Sequence, residues 1–369
     1  MRRRQFTLTV PLIAATALTI RNVAAQAPSS STFPAAESQA AARMRREAAA
    51  FLASLSPDQR RSASFPLGAE QRTIWSNLPV GMVPRVGVSL DELGDGSRQR
   101  AHALLRASSS SQGYLKMAAV MRHDQLLHDM QAAALAGDAT RGTRSAIVDS
   151  MGAGKFWLAV FGDPIGDENW GWLITGHHLG ATFTVAGSRV AFVPLFLGAA
   201  PVMIETGLYA GQKALSHESN RGFELLRSLS AKQRADAVLS TGSFGDIVTG
   251  VGRQRSLARY EGVSAAGLDS TQQGLLWALV EEYVRNADFE PATAQLDAIK
   301  AAGLEMLHFS WRGPTDDPNG QFYYRVHGPR IIIEYADQGG NHVHTITRDP
   351  VNDYGTDWLG LHYEEHAHG

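Results

Sequence analysis

The chain has 369 residues, with 34 Lys and Arg against 36 Asp and Glu. A formal net charge of −2, with basic residues scattered rather than clustered, excludes an electrostatic footprint for nucleic acid. There is no cysteine, which excludes disulfides, thiolate metal ligands and a cysteine nucleophile and leaves stability to a packed core.

Residues 1–27 read as an export signal: a basic start at Arg2-Arg3-Arg4, an apolar run from Phe6 to Ile20, and a small-residue end at Ala24-Ala25-Gln26-Ala27. Arg3-Arg4-Gln5-Phe6 fits the core of a twin-arginine signal, although Thr7 and Leu8 depart from its usual ending, and twin-arginine export is favoured over general secretion. Cleavage is expected after Ala25 or Ala27, and Ala25 is preferred because Pro28 follows the other cut directly. The expected partner is the export machinery and the expected location is periplasmic or secreted. No later segment approaches about 18 uninterrupted apolar residues, so no transmembrane segment is expected in the mature chain. Residues 28–42 form an Ala/Ser-rich, low-complexity linker whose composition predicts disorder. Roughly 330 residues remain, enough for one large domain or two smaller ones.

Leu55-Ser56-Pro57-Asp58-Gln59-Arg60 reappears as Leu229-Ser230-Ala231-Lys232-Gln233-Arg234. Ser followed three residues later by Gln is a capping box, and Pro57 suits a first helical position. Gly87-Val88-Ser89 begins 31 residues after Ser56, and Gly262-Val263-Ser264 begins 32 residues after Ser230. A helix with a Leu-Leu pair is predicted after each. Strands are predicted over Phe156–Phe161, Trp170–Thr175, Thr182–Val185 and Val190–Phe196, and again over Met306–Trp311, Phe322–Val326, Ile331–Tyr335 and His342–Thr347. Gly176 stands where Gly328 stands. The pattern predicts an α+β fold, a pseudo-symmetric duplication of a helical module followed by antiparallel or mixed strands. The halves are 43–220 and 221–369, expected to form one compact unit with a ligand site where they meet.

The motifs Leu-Ser-x-x-Gln-Arg, Ser111-Gln112-Gly113-Tyr114, Trp170-Gly171-Trp172, Gly176-His177-His178-Leu179 and His342-Val343-His344-Thr345-Ile346-Thr347-Arg348-Asp349-Pro350 come in order along the chain. In these the chain resembles the bacterial and fungal domain-of-unknown-function family 3500, over about Phe51 to His362. The resemblance extends through Glu334-Tyr335 and Asn352-Asp353-Tyr354-Gly355. It marks the His-containing segments as part of the family pattern and implies no mechanism.

His342 and His344, two apart on a strand, project from one face and can present two imidazoles to one metal. His177-His178 is the natural source of a third ligand; on a strand one of the pair would face away, in a turn both could point inward. Glu334, Asp349 or Asp353 could complete the sphere or orient an imidazole. Such a set suits one divalent transition metal, Zn, Fe or Mn. Asp349 or Asp353 would then act as general base and Arg348 would hold an anionic group. The competing reading is structural: cross-strand hydrogen bonds, a capped hairpin and an ion-paired turn. Trp170, Trp172, Trp311 and Tyr324 could line a substrate pocket, although such residues more often pack the core.

His362-Tyr363-Glu364-Glu365-His366 has the inverted zinc-protease spacing, but only three residues follow it, which leaves no place for a downstream third ligand. Thr241-Gly242-Ser243-Phe244-Gly245 lacks the first glycine of a nucleophile elbow. Gly152-Ala153-Gly154-Lys155 lacks the flanking residues of a phosphate loop, so no nucleotide cofactor is expected. The leading expectation is an exported metal-dependent enzyme, most plausibly a hydrolase. The alternatives are a non-catalytic ligand-binding protein using the Trp and Tyr surfaces, and a redox metalloenzyme.

Overall fold

The computed structural model describes residues 38–137, 142–167, 169–243 and 245–365. The expected signal segment and most of the expected linker lie outside these residues, as does His366.

In the first half, helices α1 (Gln39–Ala53) and α2 (Pro57–Ala63) precede strands β1 (Ser64–Phe65) and β2 (Val88–Ser89). Helices α3 (Asp95–Ser108), α4 (Ser111–Leu135) and α5 (Gly142–Asp149) lead into β3 (Trp157–Phe161), β4 (Asn169–Thr175), β5 (Leu179–Ala186), β6 (Arg189–Ala191) and β7 (Leu195–Ala199). The second half runs α6 (Ser216–Ser228), α7 (Ala231–Ala237), β8 (Val238–Ser240), β9 (Val263–Ser264), α8 (Ser270–Val284) and α9 (Phe289–Ala301). It closes with β10 (His308–Arg312), β11 (Tyr323–Gly328), β12 (Ile331–Asp337), β13 (Val343–Arg348) and α10 (Thr356–Glu365).

The fold is α+β, with one mixed sheet of 13 strands in the order β1-β3-β4-β5-β7-β13-β12-β11-β10-β8, while β2, β6 and β9 pair with β3, β5 and β10. The two halves join at its middle, where β7 pairs antiparallel with β13 over five positions, Leu195–Ala199 against Val343–Thr347. Two differences from the sequence reading have local causes. The strand expected over Val190–Phe196 divides into β6 and β7 around a cis Val193–Pro194 bond, because proline has no amide hydrogen to offer a ladder. Gln39–Ala42, placed in a disordered linker, instead opens α1: Ser38 caps it by accepting from the Ala41 amide, and Ala40 and Ala41 are fully buried.

The same local chemistry recurs in both halves. Ser56 with Gln59 and Ser230 with Gln233 form the two expected capping boxes. The Gln59 amide reaches on to the Glu92 carbonyl, and that of Gln233 to the Gly267 carbonyl. Arg98 donates to the carbonyls of Leu90 and Leu93, while Gln273 donates to those of Ala265 and Leu268. β1 lies parallel to β3 and β8 parallel to β10.

Alternation along the strands divides the sheet into two faces. Trp170, Trp172, Phe183, Leu195, Leu197, Tyr324, Tyr335 and Val343 turn to the main core shared with the helices. Phe196, Tyr323, Ala336 and Ile346 turn the other way, under Trp75, Ile247 and Tyr354 from connecting segments. That loop-covered face carries the candidate site.

Gly87 and Gly262 begin the two short strands at φ of +106° and +97°, and a Cβ on either would lie 2.1 Å from a backbone oxygen, that of Leu158 or Phe309. Gly262→Ala should destabilise the protein by at least about 2 kcal/mol, from backbone strain plus displacement of β10. Gly96→Ala, in α3 with nothing within 4 Å of the new methyl, should stabilise by up to about 1 kcal/mol. Denaturant titration of both variants checks the contrast, and equal effects would show that the close approach is not limiting.

Candidate metal centre

The two-residue tip of the β4–β5 hairpin is His177-His178, closed by a hydrogen bond from the Gly176 amide to the Leu179 carbonyl, 2.8 Å. Being in a turn, both imidazoles point inward. Arg85 fixes this tip, donating to the carbonyl of Gly176 and to those of Ser76, Leu78 and Val83. The β12–β13 hairpin supplies His342 and His344. Its tip is tied down by Asn341, which lies at φ +63° and bonds both the amide and the carbonyl of Met203.

Between the hairpins runs β7, whose Gly198 pairs with His344 and donates its amide to the His178 carbonyl. The row is thus His178 at the hairpin tip, Gly198 in β7 and His344 in β13. A Cβ on Gly198 would meet Cδ2 of both rings at 2.8 Å. The missing side chain is what lets the two imidazoles lean toward each other, with centroids 5.5 Å apart.

Three ring nitrogens converge: His342 Nε2 lies 3.0 Å from His178 Nε2 and 3.1 Å from His344 Nε2. Around one ion with metal–nitrogen bonds of about 2.0–2.1 Å, neighbouring ligand nitrogens stand about 2.9–3.4 Å apart, so the spacing fits a shared metal. Hydrogen bonding alone does not account for it. The Asp246 carboxylate, 2.8 Å from His344 Nδ1, can only accept, and the Gln338 amide, 2.7 Å from the same nitrogen, can give its hydrogen to that carboxylate; in the neutral ring this sets the proton on Nδ1 and a bare lone pair on Nε2. A proton on His342 Nε2 can point at only one of the other two nitrogens, and a proton on His178 Nε2 instead leaves His342 and His344 facing lone pair to lone pair. A cation at the centre satisfies all three.

The electrostatics agree. Burial, followed by His344 and His177, pushes the His342 imidazole down to about 3. Burial and His177 hold His178 well below its ordinary value. Burial acts to raise Asp124 and Asp246, but the hydrogen bond with His177 and close contact with His178 outweigh it for Asp124, as contact with His344 does for Asp246, and keep both carboxyls depressed. Asp124, from α4, lies with Oδ1 2.8 Å from His177 Nδ1 and 3.3 Å from His178 Nδ1. Carboxylates behind two imidazoles are the usual outer shell of a histidine metal site. The Asp246 side chain is 39% exposed while that of His344 is 4% exposed, so the cluster meets solvent on the side of Asp246 and the half-buried His342.

The other expected site residues are placed differently. Glu334 is buried and accepts from the amides of Val248 and Thr249, the Thr249 hydroxyl and the Tyr323 hydroxyl. Arg348 donates to the carbonyls of Thr249 and Gly250 and pairs with Asp353 at 2.6 Å. These two do not touch the imidazoles; they anchor the segment that presents Asp246. Asp349 is held by Arg330, Gln295 and the Val351 amide. Trp170, Trp172, Trp311 and Tyr324 are fully buried on the helix-covered face, stacked among Phe183, Phe322 and Tyr335, and so do not line the cluster. In α10 the motif position His362 belongs to a helix whose side chains there are not described, and His366 lies outside the described residues.

The sequence reading missed Asp124 and Asp246. Asp124 had a signal: Met117, Val120, Met121 and Asp124 follow helical spacing, so a carboxylate stands where the buried stripe of α4 calls for an apolar residue. Asp246 lies in a Gly- and Ser-rich connection and is placed only by tertiary contacts.

An imidazole held neutral in the folded state with its value depressed toward about 3, against about 6.5 when unfolded, contributes stability that is complete above about pH 6.5 and is lost as pH falls toward 3. The metal-free protein should therefore lose thermal stability steadily from pH 6.5 to 4, and His342→Gln should make that slope shallower. Melting curves across the range in chelator test this, and parallel slopes would overturn it.

Residues 37–356 match the family model described as Protein of unknown function (DUF3500). No curated protein and no solved structure matches the chain. No described helix is long and apolar enough to cross a membrane. The family match spans nearly all of the described residues, both histidine hairpins included, and the chain belongs to the DUF3500 family.

Proposed function

We propose that the protein is an exported metal-dependent enzyme, most plausibly a hydrolase, with one divalent transition metal held by Nε2 of His178, His342 and His344. The observation that carries the metal is the convergence of three ring nitrogens, with His342 Nε2 3.0 and 3.1 Å from the other two, in contacts that one proton cannot bridge together. Three nitrogen donors without a thiolate suit Zn²⁺, and also Fe²⁺ or Mn²⁺. Such an ion supplies Lewis-acid activation of a substrate oxygen or of water at near-neutral pH. Asp246 would hold His344 in its ligating tautomer, and the opening beside Asp246 and His342 would admit substrate. Redox chemistry on the same ligands is the alternative, and the identity of the bound ion decides between the two. The non-catalytic reading is weakened because the Trp and Tyr side chains it relied on are in the core. We also infer that the paired capping boxes, glycines and strand pairings descend from an internal duplication; the pairing of β7 with β13 beside the cluster supports a site between the two halves.

Elemental analysis of untagged protein from its native compartment should give at least one equivalent of Zn, Fe or Mn. His342→Ala/His344→Ala should lose that ion and keep its circular dichroism; unchanged metal content in this variant removes the assignment. For export, Arg3→Lys/Arg4→Lys should leave the folded protein in the cytoplasm. Undiminished export would refute the twin-arginine route and point to general secretion.

A further inference from the structure

We propose that His178 bridges two metal ions, its Nε2 on the ion shared with His342 and His344 and its Nδ1 on a second ion shared with Asp124 and His177. This rests on the proposed first site and adds a second nucleus to it.

The observation is a buried nitrogen without a partner. His178 is fully buried, yet its Nδ1 makes no hydrogen bond. It is aimed at a ready set of donors: Asp124 Oδ1 lies 3.3 Å away, and that oxygen is 2.8 Å from His177 Nδ1. The two imidazoles lie tilted by 33° with centroids 3.7 Å apart, and their Nδ1 atoms both address the same oxygen. These three donor atoms fall within 4.8 Å of one another, as do those of the first group, and His178 is common to both. A buried N–H left unbonded costs about 1–3 kcal/mol, which a purely structural role for Asp124 leaves uncompensated. A second ion removes that cost.

The protons balance simply. With the first ion on Nε2, His178 carries its proton on Nδ1, and binding the second ion releases that one proton to solvent. His177 keeps its proton by moving it from Nδ1 to Nε2, which has no protein partner among the described residues. Two imidazole nitrogens and one carboxylate oxygen suit Zn²⁺ or Cu²⁺. The guanidinium of Arg85, close enough to Asp124 for the two charges to interact, disfavours a second cation, so the second ion should bind more weakly than the first.

The test is Cu²⁺ and, separately, Zn²⁺ added to chelator-treated, untagged protein, with metal counted after gel filtration and the copper form examined by electron paramagnetic resonance. The expected result is two equivalents in the natural protein, with exchange coupling that suppresses the isolated Cu²⁺ signal. Asp124→Asn and His177→Ala should each bind one equivalent with an isolated signal. One equivalent in the natural protein and in both variants overturns the bridge while leaving the first site standing. Two uncoupled ions, or a second equivalent that survives Asp124→Asn, also overturns it, as adventitious surface binding. No metal in any of them defeats the first site as well. Stoichiometry and coupling in the natural protein decide the matter even where a variant fails to fold.

Discussion

The site depends on one vacancy in a crowded place. Where β7 meets β13 the sheet is covered on both faces, and every neighbouring position of the pairing carries a buried side chain except Gly198. Close-packed interiors leave no room to move a ring by an ångström without displacing something else. With glycine between them, His178 and His344 fill the space a side chain would have taken, and their ring nitrogens come within reach of His342. The junction of the two halves and the geometry of the histidines are therefore one constraint. A slip of β13 by one residue would send His344 and Ile346 to the helix-covered face and scatter the cluster.

Around this point the buried charges are arranged to hold a loop. Glu334 uses both carboxylate oxygens to fix Val248 and Thr249, and Arg348 takes the carbonyls of Thr249 and Gly250. The backbone from 248 to 250 is thus gripped through amides and carbonyls alike by residues of β12 and β13. Burial pushes the Asp353 carboxyl up to about 6 against the opposing pull of Arg348 beside it, so its attraction to that guanidinium only partly offsets the loss of water. Such a network is a costly way to gain stability. It is an effective way to fix the position of Asp246, whose Oδ1 must meet His344 Nδ1 while its other oxygen takes a hydrogen bond from Asn77.

This explains which parts of the molecule were legible in the sequence. Capping boxes, paired glycines and most strands depend on residues close in the chain, so Ser56 with Gln59 and Ser230 with Gln233 could be read directly. His342 and His344 were legible for the same reason: strand periodicity alone puts them on one face. The roles of Glu334, Arg348 and Asp349 were not, because a buried carboxylate or guanidinium looks the same in sequence whether it serves a ligand or a backbone. What separates the cases is the count of amide and carbonyl partners, a tertiary quantity. The tryptophans gave no distinguishing signal for a related reason, since strand alternation groups Trp170 with Trp172 without saying which face is outside.

Comparing two hairpins shows why only one of them offers nitrogens that could hold a metal. In β4–β5 and in β11–β12, a glycine, Gly176 or Gly328, precedes a two-residue tip: His177-His178 in one and Pro329-Arg330 in the other. Each tip lies against a buried acid. Arg330 meets Asp349 with two nitrogens, at 2.9 and 3.1 Å, and the pair closes on itself, since a guanidinium has donors only and no lone pair to give. His177 and His178 meet Asp124 with one nitrogen each and have another nitrogen to offer. Neutral imidazole is the one common side chain that can be anchored by a carboxylate at one atom and remain a base or a ligand at another. The difference between a structural ion pair and a candidate metal centre is therefore the identity of the side chains at the hairpin tip, on two tips of the same length that each follow a glycine.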